Sequence, residues 1–130
     1  MFSDTPPRTA LGGVARSRRE RLRLSELAEK TGLAAINDYR DREIEGVYVS
    51  DMVSDIITSA KRNSVLVTLQ THKSLVAAAN LVGAAMIVVV KGRKPSDDVV
   101  ELATRTGIAL FVSDLDTWGF AKRLVQLGFD

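Results

Sequence analysis

Four short polar runs carry most of the chemistry this chain can offer. Gln70-Thr71-His72-Lys73-Ser74 sets a carboxamide, two hydroxyls, an imidazole and an ammonium group side by side. If a helix starts there, its exposed amides favour an anion, His72 adds a hydrogen-bond donor and Lys73 neutralises a phosphate. Lys91-Gly92-Arg93-Lys94 groups three cations around a glycine that lets another backbone come close. It can clamp a phosphate, although it lacks the glycine spacing of a phosphate-binding loop or a dinucleotide fingerprint. Ser50-Asp51 and Ser113-Asp114 add hydroxyls and carboxylates. Asp51 and Asp55 are one helical turn apart, so they can share a face and hold a magnesium ion. Each run also has a plainer reading: a capped helix with a surface histidine, a solvated basic turn, a helix cap plus a surface charge.

What is missing narrows the chemistry further. The chain has no cysteine, which excludes disulfides, a thiolate nucleophile and zinc–thiolate sites. His72 is the single histidine, so one chain cannot build a multi-histidine metal centre. No serine occupies a Gly-x-Ser-x-Gly elbow, no kinase loop is present, and no nucleophile, base and orienting acid come together. No catalytic residue, metal ligand or cofactor is therefore expected. Arg42 beside Asp41, Glu43 and Glu45 reads as surface pairing, and Trp118 and Phe120 as core or as cover for a subunit partner.

These runs need elements to position them. At 130 residues and 14.1 kDa the chain suits one domain, and 45% hydrophobic with 26% charged residues excludes disorder over its whole length. Its longest apolar stretch, Ala84 to Val90, is a strand's length and spans no membrane. Six arginines (Arg8, Arg16, Arg18, Arg19, Arg21, Arg23) against Asp4 and Glu20 make residues 1–23 basic, while the remainder is mildly acidic. This divides the chain into a basic arm, 1–21, and a domain, 22–130. The arm can hold phosphate backbones by counterion release or serve as a solvated tail, and nucleic acid ranks behind other partners. It lacks the apolar core of a secretory signal, so the cytoplasm is the expected location.

From Leu22 a short amphipathic helix begins, capped by Ser25 and stopped by Gly32. Strands are expected over Leu33–Ile36, Val47–Val49, Val65–Leu69, Met86–Val90 and Ala109–Val112. Between and after them come helices over Met52–Ala60, opened by Ser50 or Asp51, then Ser74–Val82, capped by Thr71 or Ser74, then Asp97–Thr106 and Leu115–Leu127. Strands apolar at every position are covered on both faces, as in parallel sheets. The fold is thus α/β, a three-layer sandwich around a mainly parallel sheet. In such sheets ligands bind beyond the carboxyl ends of the strands, where all four polar runs fall.

Three segments resemble the stand-alone DRTGG-domain proteins of bacteria and archaea: Gly46 to Asp55, Val67 to Ala77, and Gly92-Arg93-Lys94-Pro95 with Glu101-Leu102-Ala103 and Gly107-Ile108. The resemblance runs from Leu22 to about Leu127. It implies an α/β fold like the amino-terminal domain of HPr kinase/phosphorylase, with related modules in phosphotransacetylases and in pyrophosphatases with CBS domains. Such modules are regulatory or dimer-forming, and kinase chemistry belongs to a separate phosphate-loop domain. The resemblance therefore implies a non-catalytic, homodimeric module for a phosphorylated ligand such as an adenine nucleotide, or a pure protein-interaction module. The Asp-Arg pair that names the family falls at Thr71 and His72, and its Thr-Gly-Gly triplet at Val90, Lys91 and Gly92, so only Gly92 is kept. These are two of the loops that topology selects. The expected ligand-binding residues are Ser50, Asp51, Gln70, Thr71, His72, Lys73, Lys91, Gly92 and Arg93.

Overall fold

Val65-Leu66-Val67 and Met86-Ile87-Val88-Val89 are buried at every position, as strands enclosed on both faces must be. The computed structural model describes residues 22–129, and the basic arm expected over 1–21 lies outside them. Its elements are α1 (Leu24–Thr31), β1 (Gly46–Val49), α2 (Val53–Ser59), β2 (Ser64–Thr68), α3 (Lys73–Val82), β3 (Met86–Val89), α4 (Asp97–Thr106), β4 (Ala109–Val112) and α5 (Thr117–Gln126). The four strands are all parallel and lie in the order β1-β2-β3-β4.

Right-handed crossovers that always step the same way place their helices on one face of the sheet. The core divides accordingly. On one side α2, α3 and α4 bury Ile56, Leu75, Val76, Val99 and Ala103 against Leu66, Ile87 and Leu110. On the other, α1 and α5 bury Leu24, Leu27, Phe120 and Leu124 against Val65, Val67, Val88 and Phe111. The result is the three-layer sandwich that the apolar strands imply. No described helix is long and apolar enough to cross a membrane.

Several local expectations are corrected. Leu33–Ile36 is no strand: it meets β4 at one antiparallel bridge, Ala35 opposite Phe111. Asn37 ends the pairing there, because its side chain accepts from Leu110 N (2.8 Å) and donates to Ile108 O (2.7 Å). Arg23, not Ser25, occupies the cap position of α1, where its amide donates to Glu26 Oε1 (3.0 Å). Ser25 instead gives its amide (3.0 Å) and hydroxyl (2.8 Å) to Asp41. α1 stops at Gly32, whose φ of 75° closes the helix as expected.

Arg42 is no surface ion pair either. It is half-buried, with Nε donating to Asn63 Oδ1 (3.0 Å) and Nη2 to Gly83 O (2.9 Å), while Asp41 takes Arg23 at 3.1 Å. α2 and α5 are shorter than expected, and α5 opens on an Asp116 cap that accepts from Gly119 N (2.7 Å). Phe120 is core, whereas Trp118 is 69% exposed under Lys122, whose Nζ lies 5.8 Å from the ring centre.

Candidate functional site

The chain leaves β3 toward one face and β4 toward the other, so the connections diverge between these neighbours. Beyond β3, Lys91 and Gly92 both take left-handed backbone, with φ of 62° and 65°. Glycine adopts this freely, but for the Lys91 side chain it costs about 1 kcal/mol. The turn is held by Lys91 N donating to Leu115 O and Gly92 N to Ser113 O, both at 2.8 Å. The turn after β3 and the loop after β4 therefore form one backbone-tied unit. A Cβ on Gly92 would stand 3.2 Å from Asp114 Oδ1, so this glycine also allows a close approach. Lys91, Arg93 and Lys94 are all exposed on it.

His72 caps α3, correcting the expectation of Thr71 or Ser74. Its Nδ1 accepts from Ser74 N at 3.2 Å, with Ser74 Oγ 3.1 Å away. That use of Nδ1 leaves Nε2 to carry the proton of a neutral ring, as an exposed donor beside the first-turn amides. Lys73 Nζ stands 3.7 Å from Asp98 Oδ2 at the start of α4, and both side chains are more than half exposed. The Ser96 hydroxyl, with a smaller pull from Lys73, holds the Asp98 carboxyl below its ordinary range.

Asp51 joins the first two runs. Its Oδ1 accepts from Leu69 N (2.7 Å) and Thr68 Oγ1 (3.1 Å), and Thr68 Oγ1 in turn accepts from Gln70 N (3.0 Å). It therefore lies ahead of α2 as a clasp between the ends of β1 and β2, neither cap nor partner of Asp55 on a shared helix face. Ser50 does open the turn, its Oγ accepting from Met52 N at 3.2 Å. Asp55 takes the Tyr48 hydroxyl instead (2.8 Å), which raises the tyrosine's pKa. Among the described residues no group of three or more His, Cys, Asp or Glu could hold a metal ion.

The four runs thus stand in one row along the carboxyl ends of the strands, with Thr71 half-buried within it. Two concavities of the described residues lie away from this row. One, of about 290 Å³, sits at the amino ends of β1 and β2, among Glu45, Gly46, Tyr48, Lys61, Arg62 and Ser64. The other, of about 170 Å³, lies between α5 and the edge strand β1, among Val47, Ala121, Leu124, Val125 and Phe129. Sequence reasoning missed the first. Its only local signal is Asn63, a residue type that tolerates left-handed backbone, followed by a serine that opens an apolar strand.

The DRTGG domain model matches residues 26–127 of this chain. Among solved structures, the fold is similar to the CBS and DRTGG domains of the regulatory region of Clostridium perfringens pyrophosphatase, complexed with the activator diadenosine tetraphosphate. The TM-score is 0.66 at 17% identity, over 79% of this chain and 46% of that one. This chain spans about half of that regulatory region, and the likeness is one of fold. No curated protein matches the sequence significantly.

Proposed function

This chain belongs to the DRTGG domain family, and from that premise we propose that it is a regulatory module that senses a phosphorylated ligand, adenine nucleotides foremost. The observation that carries the reading is the row of loops at the divergence of β3 and β4. There, three exposed cations surround a turn whose amides are fixed by the neighbouring loop. The activator-bound state of the similar pyrophosphatase region supports it. In this reading His72 and Lys73, at the start of α3, meet one phosphate. Lys91 and Arg93 meet another, with Gly92 allowing the left-handed turn that presents them. Ser50, Asp51, Gln70 and Thr71 flank the rest of the ligand. No side chain is asked to break a bond; the module works by changing its stability or its contacts, as a homodimer in the cytoplasm.

Thermal unfolding against ATP, GTP, diadenosine tetraphosphate and inorganic phosphate tests this. A ligand at a hundred times its dissociation constant stabilises by about 2.7 kcal/mol. That is worth several degrees in a domain of this size. The expected result is a shift with at least one nucleotide that disappears in Arg93→Ala and shrinks in His72→Ala. A flat panel overturns the reading.

A second reading, a dimerisation or protein-interaction module without small ligand, is favoured by α5. Trp118 and Val125 there are 69% and 64% exposed, and Val125 borders the apolar groove at β1. Sedimentation with the nucleotide panel separates the two: a dimer disrupted by Val125→Glu together with a flat panel supports this one, and a monomer at high concentration removes it.

A further inference from the structure

At the amino ends of the strands we propose a second ligand site, separate from the loop row, that binds a small phosphate monoester. It begins with Ser64, the first residue of β2, which is 2% exposed. Its carbonyl accepts from Ala85 N at 2.9 Å, yet its Oγ meets no partner among the described residues. Native folds seldom leave a buried hydroxyl so, and each case asks for a reason. Here Ser64 stands in the wall of the 290 Å³ cavity, together with Glu45, Gly46, Tyr48, Lys61 and Arg62.

The walls are fixed before any ligand arrives. Asn63, with φ of 58°, is pinned on four sides. Its amide donates to Gly83 O (2.8 Å), its carbonyl accepts from Glu45 N (2.8 Å), its Nδ2 donates to Glu45 Oε2 (2.6 Å) and its Oδ1 accepts from Arg42 Nε (3.0 Å). The backbone of Arg62 and Ser64, on either side of it, is therefore held in place. Gly46 stands opposite Ser64 in the sheet, and a Cβ built on it would meet nothing within 4 Å, so the floor is open. The Tyr48 hydroxyl is committed to Asp55, which leaves the ring as an apolar wall.

Charge then selects the ligand. Lys61 and Arg62 line the cavity against one carboxylate, Glu45, whose Oε2 already accepts from Asn63 Nδ2, and Arg42 stands behind Asn63. Burial, then Arg40 and Arg62, lower the proton affinity of the Arg42 guanidinium, and Glu45 offsets this only in part. A group of cations this close favours a dianion over a single carboxylate. The volume admits a phosphate on a body of a few carbons, below the range of drug-sized pockets. The phosphate would take Lys61, Arg62 and the Ser64 hydroxyl, while the body lies on Gly46 and the Tyr48 ring. β2 separates this site from the loop row by about 15 Å.

The test is an amide NMR titration of the full chain with ribose 5-phosphate, with inorganic phosphate and ribose as separate arms. Saturable shifts are expected at Gly46, Tyr48, Arg62 and Ser64 with ribose 5-phosphate, weaker ones with phosphate and none with ribose. Gly46→Leu fills the floor and abolishes the shifts while the rest of its spectrum is kept; if that variant does not fold, Arg62→Gln serves in its place. Ser64→Ala weakens binding about tenfold, as loss of a hydrogen bond to a charged group does, without lowering the melting temperature. Arg93→Ala leaves binding unchanged, so failure here and failure of the loop-row reading are told apart. No saturable shift in the millimolar range overturns the proposal, as does binding that survives both Gly46→Leu and Arg62→Gln or is lost in Arg93→Ala.

Discussion

At the carboxyl ends of the strands His72, Lys73, Lys91 and Arg93 stand exposed on turns tied by backbone hydrogen bonds, whereas at the amino ends Arg42 and Asn63 are half-buried and Ser64 fully so. The first arrangement leaves its charges hydrated and able to approach a large, flexible ligand. The second has already removed Ser64, and part of Arg42 and Asn63, from water, so these must be matched or remain costly, while Lys61 and Arg62 stay exposed at its edge. Topology alone points to the carboxyl end. Only packing reveals the amino end.

If the amino end is the more tightly built, breaking its centre has the largest effect. Asn63→Ala removes the Arg42 and Glu45 partners and places alanine in left-handed backbone. The expected loss is about 3 kcal/mol in urea unfolding. A loss below that of Asp51→Ala would break the comparison. Asp51→Ala, at the carboxyl end, frees Leu69 N and one partner of Thr68, which is worth about 1–2 kcal/mol.

Lys91→Gly should go the other way and stabilise by up to about 1 kcal/mol, because glycine relieves the left-handed strain at φ 62°. Unchanged or reduced stability would mean the turn carries no stored strain. The smallest effect sharpens the picture through pH. Burial opposes ionisation of Asp41, but hydrogen bonds from Ser25 and Arg23, with the Arg23 charge, outweigh it and hold the carboxyl below its usual range. A carboxylate depressed on folding stabilises above its unfolded pKa and loses that contribution as pH falls through its folded value. Asp41→Asn should therefore cost less than about 1 kcal/mol near neutrality, as for an exposed pair. Unfolding curves along a pH series should show that gap closing in acid; a gap that widens in acid contradicts the assignment.

The sheet was legible because Met86–Val90 is apolar at every position and Val65–Leu69 at all but Thr68, a pattern that doubly covered strands support. The carboxyl-end loops were legible for the same reason, since each polar run follows such a strand. What could not be read is whatever depends on distant partners. Arg42 sits among acids in the chain yet bonds Asn63 and Gly83, which the fold brings from 21 and 41 residues away. Thr71 and Ser74, one residue before and two after the true cap of α3, are the commoner capping types, while histidine serves here through Nδ1. Leu33–Ile36 has a strand's composition, but Asn37 claims the backbone groups of β4 that a strand would need. Ser64 carried only the faint sign of its place after Asn63: a serine before an apolar run is ordinary until its neighbours are known.

The placement of α5 also bears on how the chain is made. Phe120 and Leu124 cover Val65, Val67 and Val88, residues synthesised well before them. At about 5–20 residues per second, a ribosome exposes that half-finished apolar sheet for several seconds before its cover emerges. Newly made chains should therefore be most prone to stick to one another in that interval, and a messenger truncated before α5 should give an aggregating product rather than a smaller folded one.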